Sequence, residues 1–286
     1  MRAPAFAKIN LALRVLGARP DGFHELRTTF QSIALHDTLT VRRRRGPFRL
    51  TCDDPRLPVD GSNLIVRAAG AVWNASGRRG APRDVAIDLA KRIPIASGLG
   101  GGSSDAASAL GLLGRIWGVG EARLRAIAPT LGADVPYFLE GGTVLGLERG
   151  DLLFPLVDRP AAWVVLALPD FGVNTRDAYE WFDTDVARRL QPSGRRSPKG
   201  FALQLKNDLQ MPVARRHPEI ARIVSVLRRA GASHAAMSGA GSGVFGLFDT
   251  RAAAVHAATL VSPRLCGRTL VTRTLTRAEC RRLAAK

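Results

Sequence analysis

Apolar and polar residues alternate from Ala5 to Leu16: Ala7, Ile9, Leu11, Leu13 and Val15 fall on one side, and Phe6, Lys8, Asn10, Ala12 and Arg14 on the other. A period of two is that of a strand with one buried face. Lys8 and Asn10 therefore project together from the polar face, toward a ligand or into water. Arg19-Pro-Asp-Gly22 is a turn signal, so Phe23 to Ile33 is expected to return antiparallel beside the first strand, bringing His24 back toward Arg14. Taken alone, His24 also reads as a packing or surface histidine. Short strands are expected near Leu39 to Val41 and Phe48 to Cys52, and Gly61-Ser-Asn63 supplies cap chemistry for a helix from Leu64 to about Trp73.

Further on, the period changes within one segment. Val85, Ile87 and Leu89 keep the strand period, whereas Ala106, Leu110, Leu113 and Trp117 recur at helical spacing. Between them lies Pro94-Ile-Ala-Ser-Gly-Leu-Gly-Gly-Gly-Ser-Ser104, with Ser103 or Ser104 expected as the helix cap. Gly98, Gly100, Gly101 and Gly102 expose N–H groups without a Cβ, and the helix start adds free donors and a positive dipole end. The stretch reads as a phosphate cradle. It is not a Walker A loop, because Ser103-Ser104 follows Gly102 with no lysine, and a dinucleotide fingerprint counted from Gly98 meets Ser103 where its third glycine belongs. A flexible linker is the plain alternative, but linkers seldom run straight into an amphipathic helix.

A helix predicted from Glu121 to Thr130 stops at Leu131-Gly-Ala-Asp-Val-Pro136, where Gly132 and Pro136 are both helix breakers and Asp134 sits in a tight bend. By itself Asp134 reads as a turn former or cap. Strands are expected at 143–147 and 152–156. A composition shift near Val157-Asp-Arg-Pro160 divides the chain into residues 1–157 and a smaller α+β unit, 158–286. In that unit we expect a buried strand at 161–168, a helix at 175–189, a mobile polar loop at 191–200, a helical region from Lys206, and a helix over 217–230. The last carries Ile220, Ile223, Val224 and Leu227 on one stripe. Met237 to Phe248 is a second glycine-rich turn, and it runs into a strand: either a backbone lip over a ligand or a strand with a bulge.

Composition narrows this picture only in part. With 286 residues, 46% of them hydrophobic, the chain can bury a large core. No window approaches 18 uncharged apolar residues and the N-terminus has no long apolar stretch, so neither secretion nor membrane spanning is expected. Cys52, Cys266 and Cys280 are odd in number and far apart, which suits reduced thiols in a cytoplasm rather than disulfides or zinc. The formal charge of +18 fits a nucleic-acid binder or an enzyme of anionic small substrates. Arg42 to Arg45 reads as a solvated hairpin end.

Seven motifs, in order, carry more than any of them alone: Ala7-Lys-Ile-Asn-Leu11, Asp21-Gly-Phe-His24, Asn63-Leu-Ile-Val-Arg67, Pro94 to Ser104, Leu131 to Pro136, Asn207-Asp-Leu209 and Ser238-Gly-Ala-Gly-Ser-Gly243. Over residues 7 to 243 the chain resembles the GHMP small-molecule kinases, and among them those whose alcohol substrate carries a cytidine diphosphate. The resemblance implies an α+β, two-domain fold, with a ribosomal protein S5 domain 2-like N-terminal domain, a ferredoxin-like C-terminal domain and the active site between them. It implies phosphoryl transfer from ATP, with Mg²⁺, to the 2-hydroxyl of 4-diphosphocytidyl-2-C-methylerythritol in non-mevalonate isoprenoid synthesis. It further implies a cytoplasmic monomer or weak homodimer with a small-molecule partner and neither nucleic acid nor membrane.

Residue by residue, Lys8 and Asp134 match the family's catalytic pair, a carboxylate to accept the alcohol's proton and an ammonium to favour the alkoxide. Pro94, Ile95, Ala96, Ser97, Gly98, Leu99, Gly100, Gly101, Gly102, Ser103 and Ser104, with Asn63, match the ATP site, Mg²⁺ bridging phosphate oxygens and the Ser104 hydroxyl. Asn10 and His24 match positions that hold the cytidine, Phe23 stands where a tyrosine is usual, Tyr179 offers a second aromatic face, and Gly239 and Gly241 complete the substrate site. Glu148-Arg-Gly-Asp151 departs from the family's Gly-x-Gly-Glu. Two other readings stay open: a sibling kinase of homoserine or mevalonate, which has no cytosine to hold, and a basic RNA-binding protein, which has no need of Lys8, Asp134 and the glycine loop together.

Overall fold

The structure is a computed structural model describing residues 1–189, 205–261 and 263–284. The polar loop expected at 191–200 lies outside the described residues.

β1 (Arg2–Ala18) and β2 (His24–Pro47) form a long antiparallel hairpin, as the alternation and the Pro-Asp-Gly turn predict. β2 is longer than expected. The strand read separately at 39–41 is its continuation past Asp37, whose carboxyl is buried and satisfied by Lys91 and by the N–H groups of Arg92 and Ile93. The opposite edge of β2 pairs with β4 (Arg83–Ala90) over Thr38 to Pro47 and with β5 (Thr143–Glu148) over Leu26 to Gln31. β3 (Arg49–Cys52) lies parallel to β4, and β6 (Leu152–Pro155) closes the far side of β5.

Bulges break the hairpin register between Phe6 and Ala7, between Asn10 and Ala12, and between Val15 and Gly17. At the first of these the extra residues, Ala34 and Leu35, are on β2, and β1 keeps its alternation. Along that one face Ala3 and Ala5 pack in the core beneath the helices, whereas Ala7, Ile9 and Leu11 pack against the second sheet. The strand is thus buried on both sides at its middle, and the polar face expected to meet solvent is covered: Lys8 is 4% exposed and Asn10 2%.

α1 (Leu64–Ala75), α2 (Gly101–Trp117), α3 (Glu121–Leu131) and α4 (Val135–Glu140) cover the first sheet. Ile65, Ala68, Ala69 and Val72 of α1 meet Ala106, Leu110 and Leu113 of α2 over Leu39, Ile87 and Leu89. Pro136 does not end a helix here. It occupies the first turn of α4, where the missing N–H costs nothing.

β7 (Trp163–Leu168), α5 (Thr175–Arg189), α6 (Gln210–Arg216), α7 (Glu219–Arg229), β8 (His234–Met237), β9 (Val244–Phe248), α8 (Arg251–Leu260) and β10 (Arg268–Arg273) follow, then α9 (Arg277–Ala284). Their sheet has the antiparallel order β10-β7-β9-β8, the split β-α-β arrangement of ferredoxin-like units. The expected stripe of Ile220, Ile223, Val224 and Leu227 on α7 is buried against it. Val164, Leu166, Leu168, Phe245 and Leu247 then join β1 and Leu99 in one core, so the two sheets meet directly behind the glycine segment.

Candidate active site

The backbone from β4 to α2 is shaped by two glycines that no other residue replaces. Gly98 (φ 72°) would place a Cβ 2.0 Å from Ser238 O, and Gly100 (φ 72°) would place one 2.6 Å from the Phe138 ring and 3.2 Å from Lys8 Cε. Both positive φ and missing bulk are required. Gly100, not a serine, precedes the helix, with no side-chain cap; Ser103 and Ser104 lie inside the first turn. The N–H groups of Gly101, Gly102 and Ser103 have no acceptor within the helix and stand at its positive end. Ser104 Oγ donates to Phe6 O at 2.7 Å and the residue is 2% exposed, so the hydroxyl expected on a metal ties α2 to β1 instead.

The second glycine turn braces the first. Gly243 N–H donates to Ser97 O at 3.1 Å, and Ser238 Oγ donates to Gly98 O at 3.0 Å. Gly239 and Ala240 line the cavity beside it. Gly241 does not line that cavity and packs over the Met237 side chain.

At the foot of the loop, Lys8 Nζ lies 3.5 Å from Asp134 Oδ2. Asp134 sits at the start of α4 without making a capping bond, so its carboxylate, about a third exposed, is free to face the cavity. The lysine is held by a relay. Its Nζ donates to Asn10 Oδ1 at 2.6 Å, Asn10 Nδ2 donates to Thr28 Oγ1 at 2.7 Å, and Thr28 Oγ1 donates to Ala12 O at 2.8 Å. Asn10, expected to hold a base, has both ends of its amide committed to this relay. The Ala12 carbonyl that ends the relay directly follows the β-bulge at Leu11.

A second charged group, unread in the sequence, lies under the same loop. Lys91 Nζ donates to Asp37 Oδ2 and, at 2.9 Å, to Asp105 Oδ2, while Asp105 Oδ1 is buried with no partner among the described residues. Burial, then the second carboxylate, outweighs Lys91 and pushes the Asp105 carboxyl up to about 7. Burial opposes the Lys91 ammonium, but the two carboxylates raise its pKa on balance. Charged residues embedded in apolar runs, Asp37 before Leu39 and Asp105 before Ala106-Ala107, were the available signal.

The cavity is about 970 Å³ and is lined by both glycine turns, the Lys8–Asp134 pair, Lys91, Asp105 and Asn63. Asn63 caps α1, its Oδ1 accepting from Ile65 N at 2.9 Å. At the mouth stand aromatic rings and cations. His24 stacks on Tyr179 with centroids 4.6 Å apart and planes at 23°, and Phe23, about half exposed, lies under the Arg149 guanidinium at 5.3 Å. Burial raises the Tyr179 hydroxyl well above its usual range. Arg149 belongs to the turn that departs from the family pattern, and it brings a cation to the mouth. Among the described residues no three His, Cys, Asp or Glu side chains cluster as a metal site.

Comparisons with known proteins agree with one another. The N-terminal domain model of the GHMP kinases matches residues 63–142, and the GHMP kinase C-terminal model matches 194–259. The 4-diphosphocytidyl-2-C-methyl-D-erythritol kinase of Solibacter usitatus (strain Ellin6076) is 44% identical over 97% of this chain and 91% of its own length. That of Moorella thermoacetica is 40% identical over 95% and 98%. The crystal structure of a 4-(cytidine 5'-diphospho)-2C-methyl-D-erythritol kinase superposes with a TM-score of 0.75 at 34% identity, covering 96% of this chain and 99% of that one. A homoserine kinase from Cytophaga hutchinsonii, at 18% identity and a TM-score of 0.64, shares the fold.

Proposed function

The chain belongs to the GHMP kinases and, among them, to the 4-diphosphocytidyl-2-C-methyl-D-erythritol kinases, and from that premise we propose that its cavity transfers the γ-phosphoryl of ATP to the 2-hydroxyl of that cytidylated polyol. The observation that carries the reading is the 3.5 Å approach of Lys8 to Asp134 at the foot of the glycine loop.

The triphosphate lies along residues 94–104, where Gly98 and Gly100 let the backbone approach it and the first turn of α2 supplies N–H donors. Asn63, Lys91 and the 94–97 backbone line the nucleotide end. Phe23, His24 and Tyr179 receive the cytosine at the mouth, with ring faces for stacking and ring nitrogens for its edge. This arrangement leaves the polyol between mouth and loop, beside Asp134.

Asp134 accepts the hydroxyl proton as the oxygen attacks in line, and the Lys8 ammonium balances charge on that oxygen and on the moving phosphoryl group. Transfer through a loose transition state needs positioning and charge more than early deprotonation, and the Asn10–Thr28 relay fixes the ammonium in place. Among the described residues no three His, Cys, Asp or Glu side chains cluster and Ser104 Oγ is engaged by Phe6 O, so Mg²⁺ would enter with the nucleotide and would supply charge neutralisation for its phosphates. No described helix is long and apolar enough to cross a membrane, and Cys52, Cys266 and Cys280 are free; both support a cytoplasmic enzyme.

A homoserine or mevalonate substrate leaves the aromatic mouth without a task, and a role in RNA binding leaves the Lys8–Asp134 pair without one. The test is purified protein with ATP, Mg²⁺ and the cytidylated substrate beside homoserine and mevalonate. ADP release with the first alone supports the assignment, and release with either of the others in its place contradicts it.

A further inference from the structure

Asp134 stands at the start of α4, a helix of six residues that its own N-terminus does not anchor, since no side chain caps it. Glu140 ties the far end to Arg125 and Arg277. What fixes the near end is Tyr137, about one turn beyond Asp134 and fully buried. Its hydroxyl lies 2.7 Å from Ser32 Oγ and donates to Gly142 O at 2.9 Å, while Gly142 N–H donates to Ser32 Oγ at 3.0 Å. The phenol spends its one hydrogen on the Gly142 carbonyl, so the Ser32 hydroxyl donates to the phenol oxygen. The three groups close a circuit in which each bond polarises the next. Burial holds the phenol well above its ordinary range, so the hydroxyl keeps its hydrogen.

Ser32 is the residue of β2 that pairs with Lys8 across the first hairpin. The circuit therefore joins the helix that follows the carboxylate to the rung that carries the ammonium. Tyr137 reaches the lysine by a second route as well: its ring packs on Phe30 with centroids 4.7 Å apart, and Phe30 lies 5.6 Å from Lys8 Nζ. Neither Tyr137 nor Ser32 lines the cavity, so neither meets a substrate. Resting on the function proposed above, we propose that Tyr137 is a positioning residue whose hydroxyl, through Ser32, sets the separation of Asp134 from Lys8. Displacing by about 1 Å a pair that must meet one hydroxyl together costs up to about a hundredfold in rate, so this buried bond acts on the chemical step and leaves binding alone.

The experiment compares wild type, Tyr137→Phe, Ser32→Ala and the double variant in steady-state and single-turnover transfer from ATP to the cytidylated substrate, and in urea unfolding. Phenylalanine keeps the ring on Phe30 and opens two of the three bonds; Ser32→Ala opens two from the other side. Each single variant should slow the chemical step about tenfold, with KM for both substrates within about twofold of wild type. Because the two hydroxyls work in one circuit, the double variant should be within about twofold of the slower single one. A lowered urea midpoint with the chemical step intact would make Tyr137 a core residue only, and would overturn the proposal. So would losses that multiply in the double variant. If one single variant does not fold, the other carries the same comparison with wild type.

A second readout needs no turnover. In crystal structures of wild type and Tyr137→Phe, Lys8 Nζ should lie near 3.5 Å from Asp134 Oδ2 in the first and be displaced by about 0.5 Å or more in the second. An unchanged separation in Tyr137→Phe rejects the proposal. If wild type turned over no cytidylated substrate with ATP, the kinase reading would be the one to fail, and the two structures would still decide whether Tyr137 positions the pair.

Discussion

Gly100 and Lys8 abut so closely that the phosphate loop and the ammonium form one rigid unit: a Cβ on Gly100 would lie 3.2 Å from Lys8 Cε, with the Phe138 ring 2.6 Å away on its other side. Main-chain contact strengthens the unit, since Lys8 N–H donates to Leu99 O at 3.0 Å. Gly100→Ala therefore strains a left-handed backbone and displaces the lysine at once. We expect a loss of about 1–3 kcal/mol in stability, read by urea unfolding, and of about a hundredfold in kcat/KM. A variant that kept wild-type kinetics would show that the loop and Lys8 are not coupled.

Asn10 is assigned to Lys8 and not to the base. Asn10→Ala removes the 2.6 Å acceptor of the ammonium and leaves Thr28 Oγ1 without its buried donor. The expected outcome is a stability loss of about 1–3 kcal/mol and a fall in kcat of about ten- to a hundredfold, with KM for the cytidylated substrate little changed. A rise in KM with kcat preserved would return Asn10 to the cytidine site.

Asp105 makes stability depend on pH. Its folded carboxyl titrates at about 7 against an ordinary 3.8, so between those values the folded chain holds a proton that the unfolded chain has released. Stability from this group therefore falls as pH rises from about 4 to about 7, and the penalty is complete above 7. Asp105→Asn keeps the shape and removes the charge. Its denaturation midpoint should be flatter with pH and should exceed that of wild type at pH 8, by at most roughly 4 kcal/mol in unfolding free energy. Equal pH slopes in the two proteins would refute this.

Ser104 separates a structural hydroxyl from a metal ligand. Because its Oγ donates to Phe6 O, Ser104→Ala should cost about 1 kcal/mol of stability and leave the Mg²⁺ concentration for half-maximal activity where it was. A severalfold rise in that concentration would restore Ser104 as a ligand.

How far the sequence could be read depended on whether the deciding interactions were local. The first hairpin and the Asn63-capped helix were readable because alternation, Pro-Asp-Gly and Asn-cap chemistry act over a few residues. Alternation does not say what covers a strand's second face, so the burial of Lys8 and Asn10 is not legible in it; their polar face looks like a solvated one until the turns at Gly100 and Gly239 lie against it. Similarly, β2 was read as broken near Asp37 because the carboxylate's partners, Lys91, Arg92 and Ile93, lie more than fifty residues away. The serines after the glycines looked like caps, yet Ser104 turns inward to β1 and Gly100 takes the position before the helix. Lys8, Asp134 and the glycine loop are legible through the order of their motifs, whereas Asp105 shows in the sequence only as a charge beside an apolar run, and its link through Lys91 to Asp37 only in the contacts.

The central claim is that Lys8 and Asp134 act together on the acceptor hydroxyl, and single-turnover phosphoryl transfer tests it most directly. With ATP, Mg²⁺ and saturating cytidylated substrate, Asp134→Asn and Lys8→Ala should each slow the chemical step by about 10²–10⁴-fold while nucleotide binding persists, and the double variant should lose little more than the worse single one. A chemical step within a few-fold of wild type in Asp134→Asn, or losses that multiply in the double variant, would contradict it.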